Sequence, residues 1–110
     1  MAVSDKDVID GIAYDNDTLI MEIYDHLPFD GDFEFDHIEI LQDKINTYLW
    51  FIDSKQYSDV YQDKEYSRFL INIHFLYQLT DNCKKFIAVS NDRLSVLNIE
   101  IVPKIKNSTL

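Results

Sequence analysis

Three histidines, at positions 26, 37 and 74, are the best candidates for acid–base chemistry in this chain. Two of them follow an aspartate directly, in the pairs Asp25-His26 and Asp36-His37. A carboxylate beside an imidazole can act as a general base or bind a metal ion. The same side chains also have simpler roles, because they can end a strand, cap a helix or lie in solvent. We therefore expect the protein not to be an enzyme, and one alternative is a small enzyme that uses Asp25, His26 and His37.

The segment from Asp30 to Glu34 alternates acidic side chains as a calcium-binding loop does, but it does not fit the EF-hand pattern. The position that requires glycine holds Phe35, and the position of the bidentate glutamate holds Leu41. The single cysteine, Cys83, cannot form an internal disulfide or a metal site alone, and we expect it to pack as a small apolar residue. The sequence has neither a glycine-rich phosphate loop nor a G-x-S-x-G motif. We expect no cofactor and no metal ion.

Acidic residues are concentrated in the first part of the chain, and the formal net charge is −10. Residues 1–66 carry 17 acidic and 4 basic side chains, whereas residues 67–110 carry 3 acidic and 6 basic ones. Nucleic acids and anionic membranes would be repelled by the first part, so we expect neither as a partner. A basic protein would be attracted to it and would associate faster. The alternative is that the acidity only keeps a small protein in solution.

The length of 110 residues and the hydrophobic content of 46% are sufficient for one core, so residues 1–110 are expected to form a single domain. No apolar run is as long as a membrane span, and the polar start does not resemble a signal peptide. With one cysteine in addition, the sequence is typical of a reduced, cytoplasmic protein. Its expected oligomeric state is a monomer or a weak homodimer.

One long helix, predicted from Asp36 to Ser54, organises the rest of the chain. Its apolar residues recur every three or four positions, which places them on one face. They are Ile38, Leu41, Ile45, Tyr48, Leu49 and Ile52. Asp36 is expected to cap the first turn, with Glu39 reaching back to the cap amide. Phe35 and Ile40 would then pack together as a hydrophobic staple.

Alternating apolar and polar residues predict four strands, and a second helical pattern lies near the C-terminal end. The predicted strands are Val8–Tyr14, Thr18–Asp25, Arg68–Leu79 and Val96–Lys104, and the second helix runs from Asp81 to about Asn91 with Thr80 as its cap. The order β-β-α-β-α-β predicts an α/β (α+β) fold. Its first two strands would form an antiparallel hairpin, and its last two would be parallel and joined by a right-handed crossover. Both helices would then cover one face of a mixed four-stranded sheet.

Two surfaces are candidates for contact with a partner. The first is the open face of the sheet, where the alternation places Glu22, Tyr24, Asn72, His74, Asn98 and Glu100. A structural or regulatory module that oligomerises through this face is a second alternative function. The other surface includes Trp50 and Phe51, which do not fit the apolar face of the long helix. These two are either covered by residues 55–66 or exposed as contact residues.

The stretch from Ile20 to Asp53 resembles a family of small, uncharacterised bacterial proteins. The shared pattern is a strand that ends in Asp-His-Leu, a short acidic and aromatic loop, and a helix with a characteristic series of residues. Here these residues are Asp25-His26-Leu27, His37, Leu41-Gln42, Lys44-Ile45-Asn46, Tyr48-Leu49 and Phe51-Ile52. In size and acidity such proteins are similar to immunity proteins of bacterial toxin systems, including contact-dependent growth inhibition. The resemblance implies the fold and suggests a toxin domain as the partner.

These observations lead to the hypothesis of a cytoplasmic immunity protein that binds and blocks a toxin domain, such as a basic nuclease. Acidic side chains would occupy the site that otherwise holds nucleic-acid phosphates, and aromatic side chains would provide the buried anchor. The predicted partner-binding residues are Asp30, Asp32, Glu34, Asp36, Trp50, Tyr57, Asp59, Asp63 and Glu65.

Overall fold

The computed structural model describes residue 3 and residues 8–29, 31–55 and 66–105. In chain order the strands and helices are β1 (Gly11–Asp15), β2 (Thr18–Asp25), α1 (Glu34–Asp53), β3 (Arg68–Phe75), α2 (Asp81–Leu94) and β4 (Ile99–Ile105). Short 3-10 turns precede α1 at Gly31–Phe33 and β4 at Ser95–Leu97. This order confirms the predicted α+β fold.

The four strands form one mixed sheet in the order β1-β2-β3-β4. The first pair is antiparallel, and the other two pairs are parallel. Met21, Ile71 and Ile101 lie opposite one another on the three parallel strands, and all three are buried. Because right-handed crossovers that advance in one direction place their helices on the same side, α1 and α2 share one face of the sheet.

The core lies between this face and the two helices. The strands contribute buried aliphatic side chains, α1 contributes Leu41, Ile45 and Tyr48, and α2 contributes Cys83 and Ile87. Thr80 caps α2 as predicted, since its hydroxyl accepts a hydrogen bond from the amide of Cys83. None of the helices in the described residues is long and apolar enough to cross a lipid bilayer.

The start of α1 differs from the prediction. The helix begins at Glu34, two residues early, and the residue before it, Phe33, makes no side-chain cap. Asp36 therefore lies inside the first turn, and the predicted capping role of Asp36 and the reciprocal role of Glu39 are wrong. The 3-10 turn at Gly31–Phe33 leads directly into the helix and replaces the capping motif. Phe35 is exposed, so it does not form the predicted staple.

The buried face of α1 is also wider than the apolar pattern indicated. Leu41, Ile45, Tyr48 and Ile52 are buried as expected, but so are His37, Lys44 and Phe51. Of the two aromatic residues outside the pattern, Phe51 is buried, whereas Trp50 is 59% exposed.

Three strand boundaries differ from the prediction by three or four residues. β1 begins at Gly11 instead of Val8, since the carboxylate of Asp10 accepts the hydrogen bond from the amide of Tyr24 at 3.0 Å. β3 ends at Phe75 instead of Leu79. β4 begins at Ile99 instead of Val96, because α2 continues to Leu94 and the next residues form a 3-10 turn.

Candidate binding surface

A buried polar cluster fixes the orientation of α1 on the sheet. The ammonium group of Lys44 lies 2.8 Å from Asp10 Oδ1, and both side chains are fully buried. It also donates to the carbonyl of Val8. The hydroxyl of Tyr48, one turn further along α1, accepts from the amide of Asp10 at 2.8 Å and donates to the carbonyl of Glu22. Burial raises the pKa of the Tyr48 hydroxyl, so it stays protonated and keeps donating.

A second buried pair holds the N-terminal end of α1. His37 Nδ1 lies 2.9 Å from the carbonyl oxygen of Pro28, which can only accept, so this nitrogen carries a hydrogen. His37 Nε2 lies 2.6 Å from Asp25 Oδ2, and the two atoms hold a second proton between them. Asp25 Oδ1 accepts from the amide of Leu27 at 3.0 Å. The ring of Phe29 stacks on His37 at a centroid distance of 3.9 Å, which shields the pair from solvent.

The three residues of the alternative enzyme site do not converge. Asp25 and His37 meet, and both side chains are buried. Asp25 ends β2, which is one of its expected simpler roles, but neither side chain lies in solvent. His26 is exposed and borders a different surface, beside Tyr24 and His74. Within the described residues, no group of three or more His, Cys, Asp or Glu side chains could hold a metal ion.

The outward face of α1 is acidic along its length. Asp36, Glu39, Asp43 and Asp53 are exposed, and with Trp50 they form what we call the acidic ridge. Successive members lie three, four, seven and three residues apart, so they follow one side of the helix. The one lysine of α1, Lys44, is buried on the opposite side and paired with Asp10, so no basic side chain of this helix offsets the ridge.

The structure describes four of the nine predicted partner-binding residues. Asp32, Asp36 and Trp50 are exposed, and Glu34 is partly buried and accepts a hydrogen bond from the side-chain amide of Asn82. The remaining five lie outside the described residues: Asp30, Tyr57, Asp59, Asp63 and Glu65. Sequence reasoning missed Glu39, Asp43 and Asp53 as ridge residues. Their spacing from Asp36 was the signal, but Glu39 had been assigned to the capping motif.

Comparison with known families gives a match over nearly the whole chain. The model of the family of unknown function DUF6572 matches residues 1–107. The chain belongs to this family. No curated protein and no solved structure matches it.

The open face of the sheet carries a second polar group in this member of the family. Glu22 Oε2 lies 2.5 Å from His74 Nε2, and Glu22 Oε1 accepts from Asn72 Nδ2 at 3.4 Å. The ring of Tyr24 stacks on His74. These four residues are neighbours on the face opposite the helices, as predicted. Their polar groups mostly pair with one another, which leaves this surface less charged than the acidic ridge.

Of the other two residues expected on the open face, Glu100 lies there and Asn98 does not. Glu100 alternates with the buried Ile99 and Ile101, so it lies on this face as predicted, and it pairs with Arg68 at 3.0 Å. Asn98 precedes β4 and has a left-handed backbone, with φ 60°, so it is not a strand residue and its predicted place on this face is wrong.

Cys83 packs in the core between α2 and the sheet, as expected for a small apolar residue. Burial, together with the nearby charges of Asp25 and Glu34, raises the pKa of its thiol from 9.0 to about 12. The thiolate is the reactive form of cysteine, so Cys83 is not a nucleophile at neutral pH.

Proposed function

We propose that the protein is an immunity protein that binds a basic toxin domain, such as a nuclease, through the acidic ridge of α1. The ridge would occupy the site on the toxin that otherwise holds nucleic-acid phosphates, and the toxin would be blocked by occlusion. No reaction takes place in this mechanism. The protein acts by affinity and by speed of association alone.

The observation that carries this proposal is the one-sided charge of α1. Four carboxylates are exposed on one side of the helix, and its lysine is neutralised inside the protein. Such a surface attracts a basic partner over a distance of about 10 Å at 0.1 M salt, which accelerates association. Trp50, 59% exposed on the same ridge, offers the kind of aromatic anchor that dominates binding energy in many interfaces.

The buried polar clusters support this role because they keep the ridge rigid. Lys44 and Tyr48 tie the middle of α1 to β2 and to the segment before β1, and His37 ties its first turn to the end of β2. A binding surface that is already ordered loses less conformational entropy when the partner arrives.

The test is a growth assay with the toxin domain encoded by the gene next to this one. We expect that gene to encode a large secreted protein that ends in a basic toxin domain, and co-expression of the wild-type chain to restore growth. The double variant Glu39→Lys/Asp43→Lys should lose protection and associate at least tenfold more slowly, with a weaker dependence on salt.

The matched control is Asp15→Lys/Asp92→Lys, which changes the net charge equally at exposed positions away from the ridge. It should protect like the wild type. If the two double variants protect equally well, charge at the ridge is not used and the proposed interface is wrong. If the neighbouring gene encodes no toxin domain, the immunity role is wrong.

A further inference from the structure

A groove runs between α1 and α2 on the solvent side of the helix layer. The two helices begin at the same end of the sheet, since Asp25 and Phe75, the last residues of β2 and β3, lie in register. At that end the side-chain amide of Asn82 donates to Glu34 at 3.3 Å. Beyond this contact the helices leave a cavity of about 430 Å³, which we call the interhelical groove.

The interhelical groove has an apolar lining that faces solvent. Phe35 of α1 is 68% exposed and Val89 of α2 is 48% exposed. Ile38 and Phe86, one from each helix, are half-buried and complete this lining. Exposed apolar side chains that are grouped in a concave surface indicate a contact site, whereas single ones do not.

The two sides of the groove have opposite charges. Lys85 and Arg93 of α2 are exposed and line the groove. The acidic residues of α2, Asp81 and Asp92, are exposed but do not line it. On the other side, the carboxylates of the acidic ridge run along α1 beyond the groove lining, which α1 supplies with Phe35, Ile38 and Gln42. A segment bound in the groove would therefore meet negative charge on one flank and positive charge on the other.

The backbone of the two helices restricts what kind of segment can bind. Both walls of the groove are helical, so their backbone amides and carbonyls are already hydrogen-bonded along each helix. An extended strand would find no backbone partners there, whereas a helix satisfies its own backbone groups. The groove residues of α2 extend from Asn82 to Arg93, which is about three turns or 16 Å at 1.5 Å per residue.

We propose that the interhelical groove binds an amphipathic helix of the partner protein, about three turns long. Its apolar side would cover Phe35, Phe86 and Val89, its basic flank would face the acidic ridge, and its acidic flank would face Lys85 and Arg93. This proposal rests on the proposed function, because it names the element of the basic partner that docks beside the ridge.

The direct test uses a synthetic peptide of about 14 residues, a length that forms about four helical turns. Leucines at positions i, i+3, i+4 and i+7 form one face, with lysines on one flank and glutamates on the other. A scrambled peptide of the same composition is the control. Fluorescence anisotropy should show saturable binding of the patterned peptide and at least tenfold weaker binding of the scrambled one.

Protein variants then locate the binding. Val89→Lys should weaken peptide binding at least tenfold, because it places a charge on the apolar lining. Val96→Lys is the matched control, since Val96 is 81% exposed in the turn after α2 and does not line the groove. Equal affinity of the two variants, or of the two peptides, would contradict the proposal. So would a wild-type dimer in sedimentation that Val89→Lys dissociates, because the groove would then bind a second copy of the chain.

The growth assay separates this proposal from the proposed function. If Val89→Lys protects cells like the wild type while Glu39→Lys/Asp43→Lys does not, the ridge binds the toxin and the groove proposal is wrong. If the patterned peptide binds in the groove but the ridge variant still protects, the groove proposal holds and the role of the ridge is wrong.

Discussion

The side-chain amide of Asn91 hydrogen-bonds both backbone polar groups of Ile101, as a neighbouring strand would. Asn91 Nδ2 donates to the carbonyl oxygen of Ile101 at 2.9 Å, and the amide of Ile101 donates to Asn91 Oδ1 at 2.7 Å. Ile101 lies in β4, which is at the edge of the sheet. The backbone polar groups of Pro103, two residues further on, face the same open side of β4, and Pro103 has no amide hydrogen to donate. Asn91 and Pro103 thus protect the edge of β4 against pairing with another chain.

Asn91→Ala should therefore have two effects. It leaves the amide and the carbonyl of Ile101 without their partner, which should lower the free energy of unfolding by about 1–3 kcal/mol. It also exposes the edge of β4, so the variant should associate at high concentration. Urea unfolding and analytical ultracentrifugation measure the two effects. Asn46→Ala on the exposed side of α1 is the control and should change stability by less than about 0.5 kcal/mol.

The buried ion pair of Lys44 and Asp10 predicts strong coupling between two substitutions. Lys44→Met alone leaves the carboxylate of Asp10 buried and without its cation, which should destabilise the protein by about 3–5 kcal/mol. Adding Asp10→Asn removes that charge and keeps an oxygen for the amide of Tyr24. The double variant should therefore be more stable than Lys44→Met alone. Denaturant unfolding of the wild type, the two single variants and the double variant gives the coupling energy. Additive effects of the two substitutions would contradict this account.

The hydrogen bonds between His37 and Asp25 predict that two substitutions of Asp25 lower stability by very different amounts. In Asp25→Asn, the new amide can donate to Nε2 of a neutral His37 and its oxygen can still accept from Leu27, so every polar group keeps a partner. This variant should lose about 1 kcal/mol or less. Asp25→Leu leaves the ring nitrogen and the amide unpaired and should lose about 3 kcal/mol. Similar losses in thermal unfolding would show that the hydrogen bonds at Asp25 are not what stabilises this site.

The raised pKa of Cys83 predicts a loss of stability in alkaline solution. The thiol ionises near its ordinary value of 9.0 in the unfolded chain, but only near 12 in the folded protein. Its contribution is therefore complete below pH 9 and declines as the pH rises toward about 12. Between pH 8 and 10, wild type should lose about 1 kcal/mol more than Cys83→Ala does. Urea unfolding of the two proteins measures this difference. If their free energies of unfolding change equally between these pH values, the loss of stability does not come from the Cys83 thiol.

Sequence patterns predicted the order of the elements well because they record which side chains avoid water. Thr18–Asp25 was predicted with its observed bounds, since apolar residues alternate along it and turn-forming residues precede it. The buried polar residues were not predicted. Lys44 and His37 are ordinarily signs of a solvent-facing position, and only the three-dimensional placement of Asp10 and Asp25 makes their burial favourable.

The candidate surface was predicted only in part for a related reason. Trp50 was identified because it departs from the apolar face, and its exposure agrees with that. Phe51 departs from the same face but is buried, because the core reaches further around α1 than its aliphatic residues indicate. The groove depends on how far apart α1 and α2 lie, which no local pattern in either helix specifies.

The hydrogen bonds of Asp10 also affect the order in which the chain can fold during synthesis. Asp10 is translated long before its partners, since Lys44 and Tyr48 follow it by 34 and 38 residues. Until α1 has left the ribosome, the carboxylate of Asp10 can accept from the amide of Tyr24 in β2, but it has no cation beside it. The hairpin of β1 and β2 can form first, but the segment before β1 is not yet held by α1. We infer that α1 fixes residues 8–10, so that this segment becomes ordered later than the hairpin that follows it.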